Sequence, residues 1–175
     1  NIVLGADYFL NKENKFKPRD LPLYVLERYT PQHMTSTALS TYLSQFNIVD
    51  DTDKTMLNEM ISFGKLYYVV EKLLACEGQN IILGYSKDQL DIIEENEAFI
   101  YIFFLQNELF FKEGKLIKQK YLSERPSTFE ISQSIPGRIG RWMGWKIVTS
   151  FMKESAYTLE DLLKEDDYKK VFYNS

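Results

Sequence analysis

The stretch Ser134 to Lys153, SIPGRIGRWMGWKIVTSFMK, decides how the chain folds. Pro136 suits a first helical position, where its missing N–H costs nothing and its fixed φ already fits. At about 100° per residue, Gly137, Gly140, Gly144, Ile147, Val148 and Phe151 fall on one stripe, bare at its start and bulky at its end. Each glycine inside a helix costs about 1 kcal/mol relative to alanine. Three of the chain's eight glycines here therefore imply that another backbone or a ligand comes close. The expectation is packing against a helix of the same chain, Lys54 to Cys76, whose Gly64 offers a second small position. The rival is an open groove for a partner peptide or lipid beside Trp142 and Trp145. Arg138, Arg141, Trp145 and Met152 flank the stripe, and Trp142 lies further round. A guanidinium beside indoles can stack, pair with a carboxylate or bind an anion, and the sequence leaves all three open.

Outward from this helix the chain reads as mainly α, α+β at most: a single-domain helical bundle, residues 1–175, with a short N-terminal strand. The strand is expected at Asn1 to Leu10, followed by a polar loop. Pro22 opens a short helix through Arg28, and Thr30-Pro31 starts another to about Phe46, with Met34, Ala38, Leu39, Tyr42, Leu43 and Phe46 at helical spacing. The acidic turn Asp50 to Asp53 precedes the helix Lys54 to Cys76, which is apolar over more than one face. Ile81-Ile82-Leu83 reads as a short strand or a buried turn. Ser86 with Gln89 has the form of a capping box opening a helix from Lys87 to Phe104 or beyond. Glu97 shares a face there with Ile93, Ile100 and Phe104, so Glu97 or its neighbour Glu94 is expected to pair with Arg138 or Arg141. Lys115 to Leu122 is a short helix, Ser123 to Ile135 the longest loop, and Thr158 with Asp161 a second capping box.

Composition bounds the chemistry. Hydrophobic residues make up 45% and aromatic ones 15%, which excludes disorder and predicts a core heavy in rings. The net charge of −4, with no basic block, excludes nucleic acid as a partner class. The single Cys76 excludes an internal disulfide and any multi-cysteine metal site. The single His33 leaves zinc hydrolysis without a ligand pair; it reads as a surface or capping residue in the first turn of its helix, and Cys76 as a packed thiol. No cofactor or metal is expected, and no catalytic residues are assigned. The chain starts at Asn1 in the apolar run Ile2-Val3-Leu4, which points to upstream sequence, and with it any targeting signal, lying outside the chain.

Taken in order, several segments resemble one family, the gliding-motility lipoprotein GldB and its relatives from Bacteroidetes cell envelopes. LGADYFLNKENKF at 4–16, RYTPQHM at 28–34, EMISFGKLYYVVEKLL at 59–74 and GYSKDQLDIIEENEAFIYIFF at 84–104 carry the likeness. SIPGRIGRWMGWKIVTSFM at 134–152, TLEDLL at 158–163 and VFYNS at 171–175 complete it. The resemblance implies roughly the C-terminal half of a longer protein with a lipidated N-terminal cysteine. It implies a noncatalytic envelope lipoprotein facing the periplasm, supporting assembly or secretion machinery through protein partners, with membrane association only through a lipid anchor outside this chain. The chain is similar, more distantly, to predicted zinc-peptidase domains, with Phe63 where a glutamate ligand would stand and MTSTALSTY where an HExxH would. That implies a zincin-like frame lacking its metal motif, or an enzyme whose ligands lie upstream. The candidate interaction or core site is Arg138, Arg141, Trp142, Trp145, Gly140, Gly144, Glu94 and Glu97.

Overall fold

Helix α3, Met56–Leu73, is the centre of the molecule, as seen in a computed structural model that describes residues 13–16 and 19–175. Its N-terminus is fixed by Thr55, whose hydroxyl accepts from the Asn58 amide, while Asp53 accepts from the Thr55 amide at 2.8 Å. Met56, Leu57 and Met60 are wholly buried, and the buried set also takes in Ile61, Tyr68 and Val69 on other faces. A helix apolar on this many sides must be covered from several directions.

The main cover is α8, Ile139–Glu154. A Cβ on Gly144 would fall into the Met60 carbonyl and lie 3.1 Å from Met60 Cα, and one on Gly64 would lie 2.8 Å from the Trp145 amide nitrogen. The two backbones thus touch where each lacks a side chain, which is the contact expected between the glycine face and the helix that carries Gly64. Gly140 faces α7, Lys115–Leu122, through Leu122 and Tyr121. Gly137 lies outside the helix, against the backbone of Arg125.

The start of α8 corrects the sequence reading. Pro136 is not at the first helical position, because the carbonyls that would begin the ladder are held from outside. The Thr128 hydroxyl donates to Pro136 O at 2.8 Å and the Tyr85 hydroxyl to Gly137 O at 3.0 Å. Arg138 then takes a left-handed conformation, φ 63°, and the helix begins one residue later.

Around this pair lie α1 (Leu23–Leu26), α2 (Met34–Leu43, with a 3-10 turn at each end), α4 (Gln79–Leu83), α5 (Lys87–Glu95) and α6 (Glu97–Gln106). Helices α9 (Leu159–Lys164) and α10 (Tyr168–Tyr173) close the chain. Ile81 to Leu83 belong to α4, so the strand alternative fails there: Gly84 at φ 70° stops a single helical turn. The expected helix from Lys87 to Phe104 is broken at Asn96, whose side-chain amide donates to Ile92 O at 2.8 Å and diverts the backbone. Both capping boxes, Ser86 with Gln89 and Thr158 with Asp161, are formed.

Phe104 joins Phe110 at 5.6 Å and Tyr121 at 5.3 Å in a cluster of rings, and Phe110 meets Phe172 of α10 at 5.2 Å. The C-terminal helices are also tied by polar contacts: the Tyr168 hydroxyl donates to Asp53 at 2.5 Å, and the buried Lys65 ammonium donates to Ile48 O and Glu165 O at 2.6 and 2.7 Å. No strand occurs among the described residues, so the zincin-like frame finds no support. The strand expected at Asn1 to Leu10 lies outside them.

Candidate functional site

The positive φ of Arg138 aims its side chain away from the course of α8 and under the turn after α4. There its guanidinium donates to Leu83 O at 3.1 Å and Gly84 O at 2.5 Å and lies 4.7 Å over the Tyr85 ring. It is 5% exposed, so both bonds to carbonyls are made inside the protein. Arg141, one turn on, donates through Nε to Leu122 O at 2.6 Å and stacks 4.2 Å over Phe63. The rings that the arginines cover are therefore Tyr85 and Phe63, not the indoles beside them in sequence.

The expected pairing of these arginines with Glu94 or Glu97 is wrong. Glu97 pairs with Lys146 at 2.9 Å, and Glu94 is exposed. The acid is Glu124, in the loop before α8, and it serves three guanidiniums: Arg28 at 2.5 Å, Arg138 at 3.4 Å and Arg141 at 3.7 Å. A loop passing over the start of α8 brings it closer than α5 or α6 could. Trp142 is wholly buried and Trp145 is 5% exposed, its indole N–H donating to Glu71 at 3.0 Å. With Gly140 and Gly144 they belong to the packing between helices, so of the eight expected residues only Arg138 and Arg141 reach a cavity.

Two cavities meet at these arginines, of about 220 and about 300 Å³. Both are lined by Arg28, His33, Gly84 and Arg138. His33, expected as a surface or capping residue, is not at the surface but buried at 8% exposure; it stands at the N-cap of α2 without a side-chain capping bond, its Nδ1 2.9 Å from the Thr30 hydroxyl. Burial, then the charges of Arg28 and Arg138, hold its pKa below the ordinary value, so it is neutral near pH 7. Burial and the neighbouring Arg138 likewise lower Arg28. Cys76, read as a packed thiol, is exposed.

Sequence reasoning missed Arg28, Glu124 and the hydroxyls of α2. The hydroxyls had a signal, a serine or threonine at 36, 37, 40, 41 and 44, which helical spacing gathers on one stripe. Arg28 and Glu124 had none, because 96 positions separate them in the chain.

Among the described residues no histidine, cysteine, aspartate and glutamate side chains gather into a metal-holding group, and no helix is long and apolar enough to cross a membrane. Fold and site together define an all-helical domain, over the described residues, built round a glycine-paired helix couple and an arginine-lined cleft. Compared with known families, residues 1–175 match gliding motility protein GldB, and the chain belongs to that family. This is a lipoprotein family, and membership points to the cell envelope. Searches of curated proteins and of solved structures gave no match. The distant likeness to zinc peptidases does not emerge from these comparisons.

Proposed function

We propose that the chain is a noncatalytic lipoprotein domain facing the periplasm, supporting assembly or secretion machinery through protein partners of the cell envelope. Family membership over the whole chain supports the setting. The observation that carries the partner is α6. Of its apolar residues only Ile100 and Phe104 are buried, while Phe99, Tyr101, Ile102 and Leu105 stand 52%, 39%, 47% and 48% exposed. A helix this apolar with one narrow buried face leaves a surface that water covers poorly, as docking surfaces do. The zinc-peptidase alternative has no support in the family match or in the described side chains.

The test is complementation of a deletion strain of the source organism with the full-length gene or with Phe99→Glu/Ile102→Glu. Exposed positions tolerate these changes, so the variant should accumulate normally yet fail to restore motility or secretion. Full restoration by the variant, or a deletion strain without a motility or secretion defect, would overturn the reading.

A further inference from the structure

The larger cavity has a one-sided wall. Among the described residues its charged lining is Arg28, Arg138 and Arg141, with no carboxylate. Facing them, α2 and its end turn present Ser36, Thr37, Ser40, Thr41 and Ser44. The hydroxyls of Ser36, Thr41 and Ser44 donate to backbone carbonyls, whereas those of Thr37 and Ser40 are half-buried and uncommitted among the described residues. Two buried nitrogens at the same place, Nε of Arg28 and Nε2 of His33, have no hydrogen-bond partner among the described residues. Buried polar atoms are seldom left unpaired, so Nε of Arg28 calls for a missing acceptor beside this cavity, and Nε2 of His33 for an acceptor or a donor according to its tautomer. Arg141 uses only Nε on a backbone carbonyl and has a long 3.7 Å contact to Glu124 through one terminal nitrogen.

Charge identifies the acceptor. Three guanidiniums share the single carboxylate of Glu124, which leaves two positive charges in surplus. The neighbouring cavity adds Glu27, which is exposed, and Arg125, which pairs with Glu130 at 2.9 Å. Neutral His33 adds no third charge. A carboxylate ligand would balance one of the two; a phosphate monoester, carrying about −1.5 to −2 near neutral pH, balances both. A volume of about 300 Å³ takes a phosphate and a small organic body.

We propose that this cavity binds the phosphate monoester group of a small ligand, with Arg28, Arg138 and Arg141 along one side of the phosphate and the Thr37 and Ser40 hydroxyls along the other. The shared chemistry has soluble and lipid sources. The site stands independently of the envelope role, and its test does not involve motility.

The purified chain is titrated with inorganic phosphate and with glycerol 3-phosphate by calorimetry, and sedimented with phosphatidylcholine vesicles containing phosphatidic acid, against sodium chloride of equal ionic strength. Ser40→Asp is the partner variant: it sets a carboxylate opposite the arginines from a half-buried helix position. The wild-type chain should bind at least one phosphate form saturably, with a rise in melting temperature in the soluble arms. Ser40→Asp should lose about tenfold or more in affinity, since like charge now faces the ligand, and without ligand should melt no lower than wild type. Binding in the soluble arms assigns a soluble phosphate ester, and binding to vesicles alone assigns a lipid head group. No saturable binding in any arm, or binding undiminished in Ser40→Asp, overturns the site.

Discussion

Replacing Gly144 with alanine adds one methyl group and should nevertheless unsettle the whole domain. The new Cβ falls into the Met60 carbonyl, and Met60 Cα stands 3.1 Å away, so the obstacle is backbone and has no rotamer to move to. Restoring ordinary contact of about 3.5 to 4 Å means parting α3 and α8 by about 1 Å or more, which forfeits a quarter to a half of each dispersion contact along the seam. Overpacking a core costs about 1 to 3 kcal/mol, and a backbone obstacle puts this site at the upper end. Against that, alanine in place of glycine returns about 1 kcal/mol of helix propensity. Packing wins by about 2 kcal/mol, which at about 2 kcal/mol per molar urea lowers the midpoint by about 1 M. Far-UV dichroism in urea reads this directly. Gly114→Ala is the control, since a Cβ there meets Ile117 no closer than 3.5 Å; it should stay within about 0.5 kcal/mol of wild type. Gly64→Ala strains the same seam, so the double variant Gly64→Ala/Gly144→Ala should lose less than the sum of the singles. A Gly144→Ala protein as stable as wild type would refute the close contact and the reasoning built on it.

Three further outcomes are expected. Glu124→Gln strips the three arginines of their carboxylate and should destabilise by about 2 to 4 kcal/mol, with added salt restoring part of the loss; a variant of wild-type stability would show that the arginines do not depend on this acid. Burial lowers Lys65 from 10.5 to about 8, so between those values the unfolded chain holds a proton that the folded chain has released, and stability rises with pH. That rise is read as the difference between wild type and Lys65→Met in denaturant melts from about pH 8 to pH 10, because buried tyrosines shared by both proteins act in the opposite direction; parallel curves would refute it. Metal analysis of purified protein should find well under one zinc per chain, because one histidine and one cysteine cannot form an ordinary first shell; a tight equivalent lost on changing His33 or Cys76 would overturn this.

What the sequence made legible was local or periodic. The capping boxes at Ser86 and Thr158, the helix Lys115–Leu122 and the meeting of Gly64 with Gly144 follow from spacing and residue type alone. The misreadings share a cause in distant groups that compete for a local one. Tyr85 takes the Gly137 carbonyl from 52 residues away and moves the start of α8, and Glu124 reaches Arg28 across 96 positions and displaces Glu97. Helix α2 was read for its apolar stripe, yet Tyr42 and Phe46 at its end are 45% and 48% exposed. The hydroxyl stripe on the same helix faces the cavity. His33 illustrates the limit of habit by residue type: Thr30, three residues before it, meets its Nδ1, while its burial beside the cavity lined by Arg28 and Arg138 has no mark in the local sequence.

The contact between Gly64 and Gly144 also sets when the domain can form. The two positions are eighty apart in the chain, and drawing such a loop shut costs about 4 kcal/mol of chain entropy before the seam repays any of it. Until the second half of the chain has been synthesised, α3 has no α8 to cover it, and α4 to α7 have no finished surface to settle on. Completion of the fold therefore waits on this one long-range contact, and a nascent chain halted before Gly144 should remain open to protease along its whole length.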